Sequence, residues 1–210
     1  MGRPQTHQAK ADALDVAFEE FEKLKAALGD DVSQLWADAI EFYLEVAKNQ
    51  PPMEQNVRRR LARAAVLTAA AAFEAVTNFL SAQVALDPKI GEGELTQAEA
   101  DCLLEKRRYL ENGEVKVRRQ IYKSKDRFLL LLNILGGKPR GKGYPPDLEK
   151  SFEVRDRLVH PKPGEVADIL SGDSWSSAVL GFLKADLILA LAWKSAKERP
   201  EILRRAFAGE

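Results

Sequence analysis

From Ala64 to Leu86 the chain carries a single charge, Glu74, in a run of apolar and small residues with helical spacing. A helix that is apolar around most of its circumference has to be covered on most sides. The run therefore predicts the long central helix of a bundle, over about 54–86, entered through Arg58, Arg59, Arg60 and Arg63. Its length would also suit a membrane span. The segment AAAAFEAVTNF, however, is mostly Ala with Glu, Thr and Asn, too weakly apolar for hydrocarbon, so no membrane association is expected.

The rest of the sequence supplies partners for that helix. Leu14, Phe18, Phe21, Leu24 and Leu28 recur every three or four residues before Gly29, and Leu35, Trp36, Ile40, Tyr43 and Leu44 do so before Pro51 and Pro52. These predict helices over about 10–28 and 31–48, each closed by its Gly or Pro. Thr96 and Glu99 form a capping box for a helix over about 97–110, and a further helix over about 115–135 ends in the buried run FLLLLNIL. Another is expected over about 147–159, then a long apolar one from Trp175 to Trp193 and a short basic helical turn at the end. The expectation is an all-α bundle of about six to eight helices around the long central one, in one domain spanning 1–210.

Composition limits the possible partners. Lys and Arg number 32, as do Asp and Glu, so no whole-molecule field draws the protein to nucleic acid or anionic lipid, and any such contact needs a local patch. Cys102 is the only cysteine, which excludes an intrachain disulfide and points to a reducing compartment. The polar, charged start lacks the apolar stretch of a signal peptide, and the expected location is the cytoplasm. Gly2 and Thr6 match a short myristoylation pattern that recurs by chance.

Two familiar chemistries find no support. GGKPRGKG matches the glycines and lysine of a phosphate-binding loop, but Gly143 replaces the hydroxyl residue and Tyr144-Pro145-Pro146 interrupts the helix that should follow. His7, His160 and Cys102 lie far apart, so no spaced nitrogen or sulfur set suggests a metal. Neither a cofactor nor a metal is expected.

The stretch FEVRDRLVHPKP, 152–163, is the one that suggests chemistry. Leu148, Phe152, Arg155 and Val159 fall near one helix face, and Pro161 places His160 at the helix C-terminus. A histidine there can simply cap carbonyls and favour the helix dipole. Alternatively, Arg155 and His160 serve a phosphate. A guanidinium forks onto phosphoryl oxygens, and imidazoles exchange protons near neutral pH. On an ideal helix the two residues lie about 140° apart, so they meet only if the helix end loosens or the Arg side chain swings across.

RDRLVH at 155–160 resembles the signature of the HEPN superfamily, an Arg, a polar residue, and a His after four to six intervening positions. Here these are Arg155, Asp156 and His160, with Asp156 where Asn is common in the family. Several HEPN families carry an acidic residue and an Asn one turn later on the earlier long helix, to which Glu74 and Asn78 are similar. The resemblance implies a HEPN-like helical core over about 54–195, with a two-helix N-terminal extension over about 10–48 outside it, that dimerises so that two Arg/His motifs face each other across a cleft. It implies a metal-independent endoribonuclease, of the kind found among toxins and phage-defence effectors and restrained by an antitoxin or assembled with a defence partner. It also admits, as the alternative, a relative without activity that binds RNA or assembles with proteins, although the retained Arg155 and His160 favour activity. In the active form His160 transfers protons, Arg155 stabilises charge on phosphorus, Asp156 orients its neighbours, and Glu74 and Asn78 support them. The basic runs 58–63 and 118–125 could extend the RNA footprint, although such runs are more often solvated helix faces.

Overall fold

The computed structural model describes residues 28–48, 53–87, 95–136, 146–162 and 164–208. The helix expected over 10–28, Leu28 aside, and nearly all of GGKPRGKG lie outside them. The elements are α1 (Asp30–Lys48), α2 (Gln55–Leu86), α3 (Gln97–Leu103), β1 (Lys106–Glu111), β2 (Glu114–Arg119), α4 (Ser124–Ile134), α5 (Pro146–Val159), α6 (Glu165–Ser171) and α7 (Ser174–Ala208). The described residues form a mostly helical bundle, with one short hairpin as the only sheet among them. They fall into two compact units, one of residues 1–75 and 145–187, the other of 76–144 and 188–210.

In the first unit, Ala62, Ala65, Val66, Ala69, Ala72 and Phe73 give α2 a buried stripe at three- and four-residue steps. The small side chains let neighbouring helices come close. Trp36, Ala39 and Tyr43 of α1 are buried with them, and Tyr43 stacks at a tilt on Trp175, ring centroids 5.4 Å apart. Phe73, Phe152 and Phe182 form a three-ring cluster with centroid separations of 5.5, 5.7 and 5.1 Å. That cluster ties α2, α5 and α7 together at one level. Such aromatic pairs add about 0.5–1.5 kcal/mol each beyond the area they bury.

The buried face of α5 differs from the expected one. Leu148, Ser151, Val154 and Leu158 are buried, while Val159 is exposed. The shift follows from Gly181 of α7. A Cβ built there would overlap Ser151 Oγ and fall 2.8 Å from the Asp147 carbonyl oxygen. Ser151 can occupy so tight a crossing because its hydroxyl turns back and donates to the same Asp147 oxygen at 2.7 Å. Gly181→Ala is expected to destabilise by about 1–3 kcal/mol through overpacking. Adding Ser151→Gly should restore part of that loss in denaturant melts, since the hydroxyl clash goes and the backbone contact stays.

In the second unit the capping box holds. Thr96 Oγ1 accepts from the Glu99 N–H at 3.3 Å, and Glu99 Oε2 accepts from the Thr96 N–H at 2.9 Å. The hydrogen bonds from Thr96 hold the Glu99 carboxyl below its ordinary pKa. The helices expected over 97–110 and 115–135 are corrected. Only 97–103 and 124–134 are helical, and 106–119 form an antiparallel hairpin. Glu105 takes a left-handed φ of 53° that ends α3, and Asn112 and Gly113, at φ 52° and 82°, make the two-residue turn. Glu105 then anchors the hairpin base, accepting from Arg119 at 3.1 Å and pairing with the buried Arg127 at 3.5 Å. Asp101 does the same for Arg108 at 2.8 Å. Of the FLLLLNIL run, Phe128, Leu131, Leu132 and Leu135 are buried.

The last helix also departs from expectation, because α7 continues past Trp193 to Ala208 and absorbs the short basic turn. Segments of α2 and α7 are long and apolar enough to cross a membrane, yet more than half of each apolar window is buried within the protein. The core helix of a bundle has the same properties.

Candidate functional site

Arg155 is reached from the aromatic cluster outward. Phe73 packs edge-on against Phe152, which sets the register of α2 against α5. Glu74, the next residue of α2, then meets Arg155, one turn beyond Phe152. Arg155 Nη2 donates to Glu74 Oε1 at 3.4 Å, and Nη1 pairs with Asp156 Oδ1 at 3.2 Å. The guanidinium carbon stands 5.3 Å from the centroid of the Phe152 ring. The guanidinium is therefore held by two carboxylates and an aromatic ring. Its side chain remains 28% exposed, so solvent screens these pairs, each worth at most about 1 kcal/mol. Both carboxylate contacts are long enough for a stronger anion to compete for the same N–H groups.

His160 is exposed at the end of α5. Its backbone N–H still donates to the Asp156 carbonyl at 2.8 Å, so the helical ladder runs to His160 without loosening. The two side chains thus leave the helix about 140° apart, and among the described residues no hydrogen bond joins them. One protomer does not bring Arg155 and His160 together through an unwound helix end.

The turn that follows is fixed from both sides. Arg63 Nη2 donates to the Leu158 carbonyl at 3.2 Å, satisfying one of the last acceptors of α5. Glu165 pairs with Arg157 and accepts from the Lys162 N–H at 3.2 Å. The Arg157 hydrogen bond, then that from Lys162, holds the Glu165 carboxyl below the usual range. His160 and Pro161 are held between these two ties.

The sequence-derived residues are thus placed unequally. Arg155, Asp156 and Glu74 form one cluster, and His160 stands at the end of the same helix as Arg155. Asn78, one turn beyond Glu74 on α2, is exposed and belongs to the second unit. Arg63, counted with a basic run, instead ties down the end of α5. Phe152 and Glu165 were missed as supporting residues. Phe152 had a visible signal, lying three residues before Arg155, whereas nothing in the sequence brings Glu165 to Arg157. Among the described residues, no group of three or more His, Cys, Asp or Glu side chains is arranged to hold a metal ion.

No protein-family model, curated protein or solved structure matches this chain.

Proposed function

We propose that the protein is a metal-independent, HEPN-type endoribonuclease that acts as a homodimer on RNA in the cytoplasm, in the manner of a toxin or phage-defence effector. The observation that carries this reading is the fixed Arg155 guanidinium, held by Glu74 on α2, with an exposed His160 five residues further along α5. In such a reaction the 2′-oxygen attacks the adjacent phosphorus and the bond to the 5′-oxygen breaks. Arg155 stabilises the added negative charge on the phosphoryl oxygens, and His160 transfers the proton that the 2′-hydroxyl loses or the 5′-oxygen gains. The products are a 2′,3′-cyclic phosphate and a 5′-hydroxyl. The 140° divergence within one helix gives the dimer a reason: two motifs facing across a cleft offer a phosphate the Arg of one copy and the His of the other. Asp156 and Glu74 position Arg155.

One observation favours a second reading, a non-catalytic module that binds RNA or a protein partner such as an antitoxin. Arg155 is engaged by two carboxylates of its own chain, which would suit a structural role. End mapping separates the two. Pure protein in EDTA with a mixed RNA pool should yield fragments ending in cyclic phosphate. Intact RNA at concentrations where the dimer is established would favour the non-catalytic module.

A further inference from the structure

Part of the charge pattern of the β1–β2 hairpin, beyond the ion pairs that anchor its base, has no stability reason. All twelve strand residues are exposed, and a two-stranded hairpin is marginal in water even with favourable cross-strand pairs. Yet the register sets Arg107 directly opposite Arg118, and Lys106 directly opposite Arg119. Like charges at directly opposed positions destabilise a ribbon. Between 106 and 119 stand six cations and two carboxylates, in a chain whose total charge is zero.

The charges are not equally engaged. Arg108 pairs with Asp101, Lys116 with Glu111 at 2.5 Å, and Arg119 with Glu105. Among the described residues, Arg107 pairs with no carboxylate, and Arg118 instead lies 5.5 Å from the centroid of the Tyr109 ring. Opposed residues share a face, so Arg107, Arg118, Tyr109 and Lys116 lie on one side of the ribbon, with Glu111 and Glu114 at its turn end, where Lys116 pairs with Glu111. That side joins two unneutralised guanidinium forks to an aromatic ring. Leu110, Val115 and Val117 occupy the other side together with Lys106, Arg108 and Arg119, of which Arg108 is held by Asp101 and Arg119 by Glu105.

We propose that this hairpin is a binding arm for single-stranded nucleic acid, with Arg107 and Arg118 taking backbone phosphates and Tyr109 stacking on a base. Guanidinium forks fit phosphoryl oxygens, and an aromatic ring beside a cationic track is how single strands are held without regard to sequence. A phosphate between the two arginines would turn their mutual repulsion into shared attraction. An acidic protein would satisfy the charges but gives Tyr109 no stacking role. The site is distinct from Arg155 and His160, and the inference stands or falls without them.

The test uses the full-length His160→Ala protein, so that the probe stays intact, and a fluorescein-labelled single-stranded RNA about ten nucleotides long. Fluorescence anisotropy should show binding. Arg107→Gln with Arg118→Gln should weaken it about tenfold or more and lower the salt slope by about 1.4, the value for two phosphates of a single strand. Tyr109→Ala should weaken binding about tenfold with an unchanged slope. The glutamine variant should melt no earlier than its parent, since it removes a repulsive pair, which separates lost binding from lost folding. Wild-type affinity in the double-glutamine variant would overturn the proposal. So would failure of the parent to bind, displacement of the RNA by polyglutamate at equal charge, or a Tyr109→Ala variant that binds like its parent. Separately, the wild-type protein tested for cleavage reports on the Arg155–His160 reading, whichever way the hairpin result falls.

Discussion

Arg155→Lys is expected to lose RNA cleavage by about 100-fold or more, the usual cost of removing one preorganised donor from a charged transition state. Lysine keeps the charge, but an ammonium cannot fork onto two phosphoryl oxygens while also spanning Glu74 and Asp156 at 3.4 and 3.2 Å. Stability should change by less than about 1 kcal/mol, because the pairs are partly exposed. Glu74→Gln refines the same prediction. If Glu74 positions Arg155, the variant should lower kcat several-fold with KM little changed. A rise in activity would mean that Glu74 restrains Arg155, and unchanged activity would leave it only a structural neighbour. Single-turnover rates for the three proteins, with melting curves alongside, give the answer.

The second large effect concerns Asp186, which is fully buried in α7. Burial pushes its carboxyl pKa well above the ordinary value, and the Trp36 indole N–H, the donor directed at it, offsets only part of this. Neither carboxylate oxygen reaches full hydrogen-bond geometry. The folded protein therefore holds this proton more tightly than the unfolded chain does. The resulting stability is fully present below the unfolded pKa of about 4 and is lost as pH rises through the folded pKa. Asp186→Asn cannot ionise, so its advantage over wild type should widen with pH, to roughly 1–3 kcal/mol in alkaline buffer. Chemical denaturation from pH 4 to 9 measures the gap. A variant equally or less stable across that range would show that the carboxylate has a native partner worth more than its burial costs.

Asp186 also illustrates what sequence reading could and could not reach. Glu74 and Asp186 are both carboxylates in long apolar helical runs. Only Glu74 stands out in the sequence, because it is alone in its run, whereas Lys184 lies two residues from Asp186. Helical phase was enough to place α1, α2 and α5 to within about two residues, since each buries one face and ends near a proline or glycine. It could not show that Glu74 meets Arg155, a contact set by how Phe73 and Phe152 pack.

The hairpin was lost for a different reason. Lys, Arg, Glu and Leu are good helix formers, and strands exposed on both faces carry no apolar alternation to betray their period. The signal that remained was Asn112-Gly113, the pair most favoured in a two-residue hairpin turn, with Val115 and Val117 just after it. It falls in the gap between the helices expected over 97–110 and 115–135. The α5 face slipped because a glycine on another helix, Gly181, decides which side of α5 can approach. Periodicity within α5 does not contain that information.

The most direct measurement compares wild type with His160→Ala on RNA in EDTA, with dimer mass established for both and the fragment ends identified. The account predicts cleavage by wild type to cyclic phosphate ends and none by the variant, with fold and dimer unchanged. A variant that cuts RNA as fast as wild type would contradict the assignment of His160 as the proton-transfer group, and with it the reading of α5 as half of an active site.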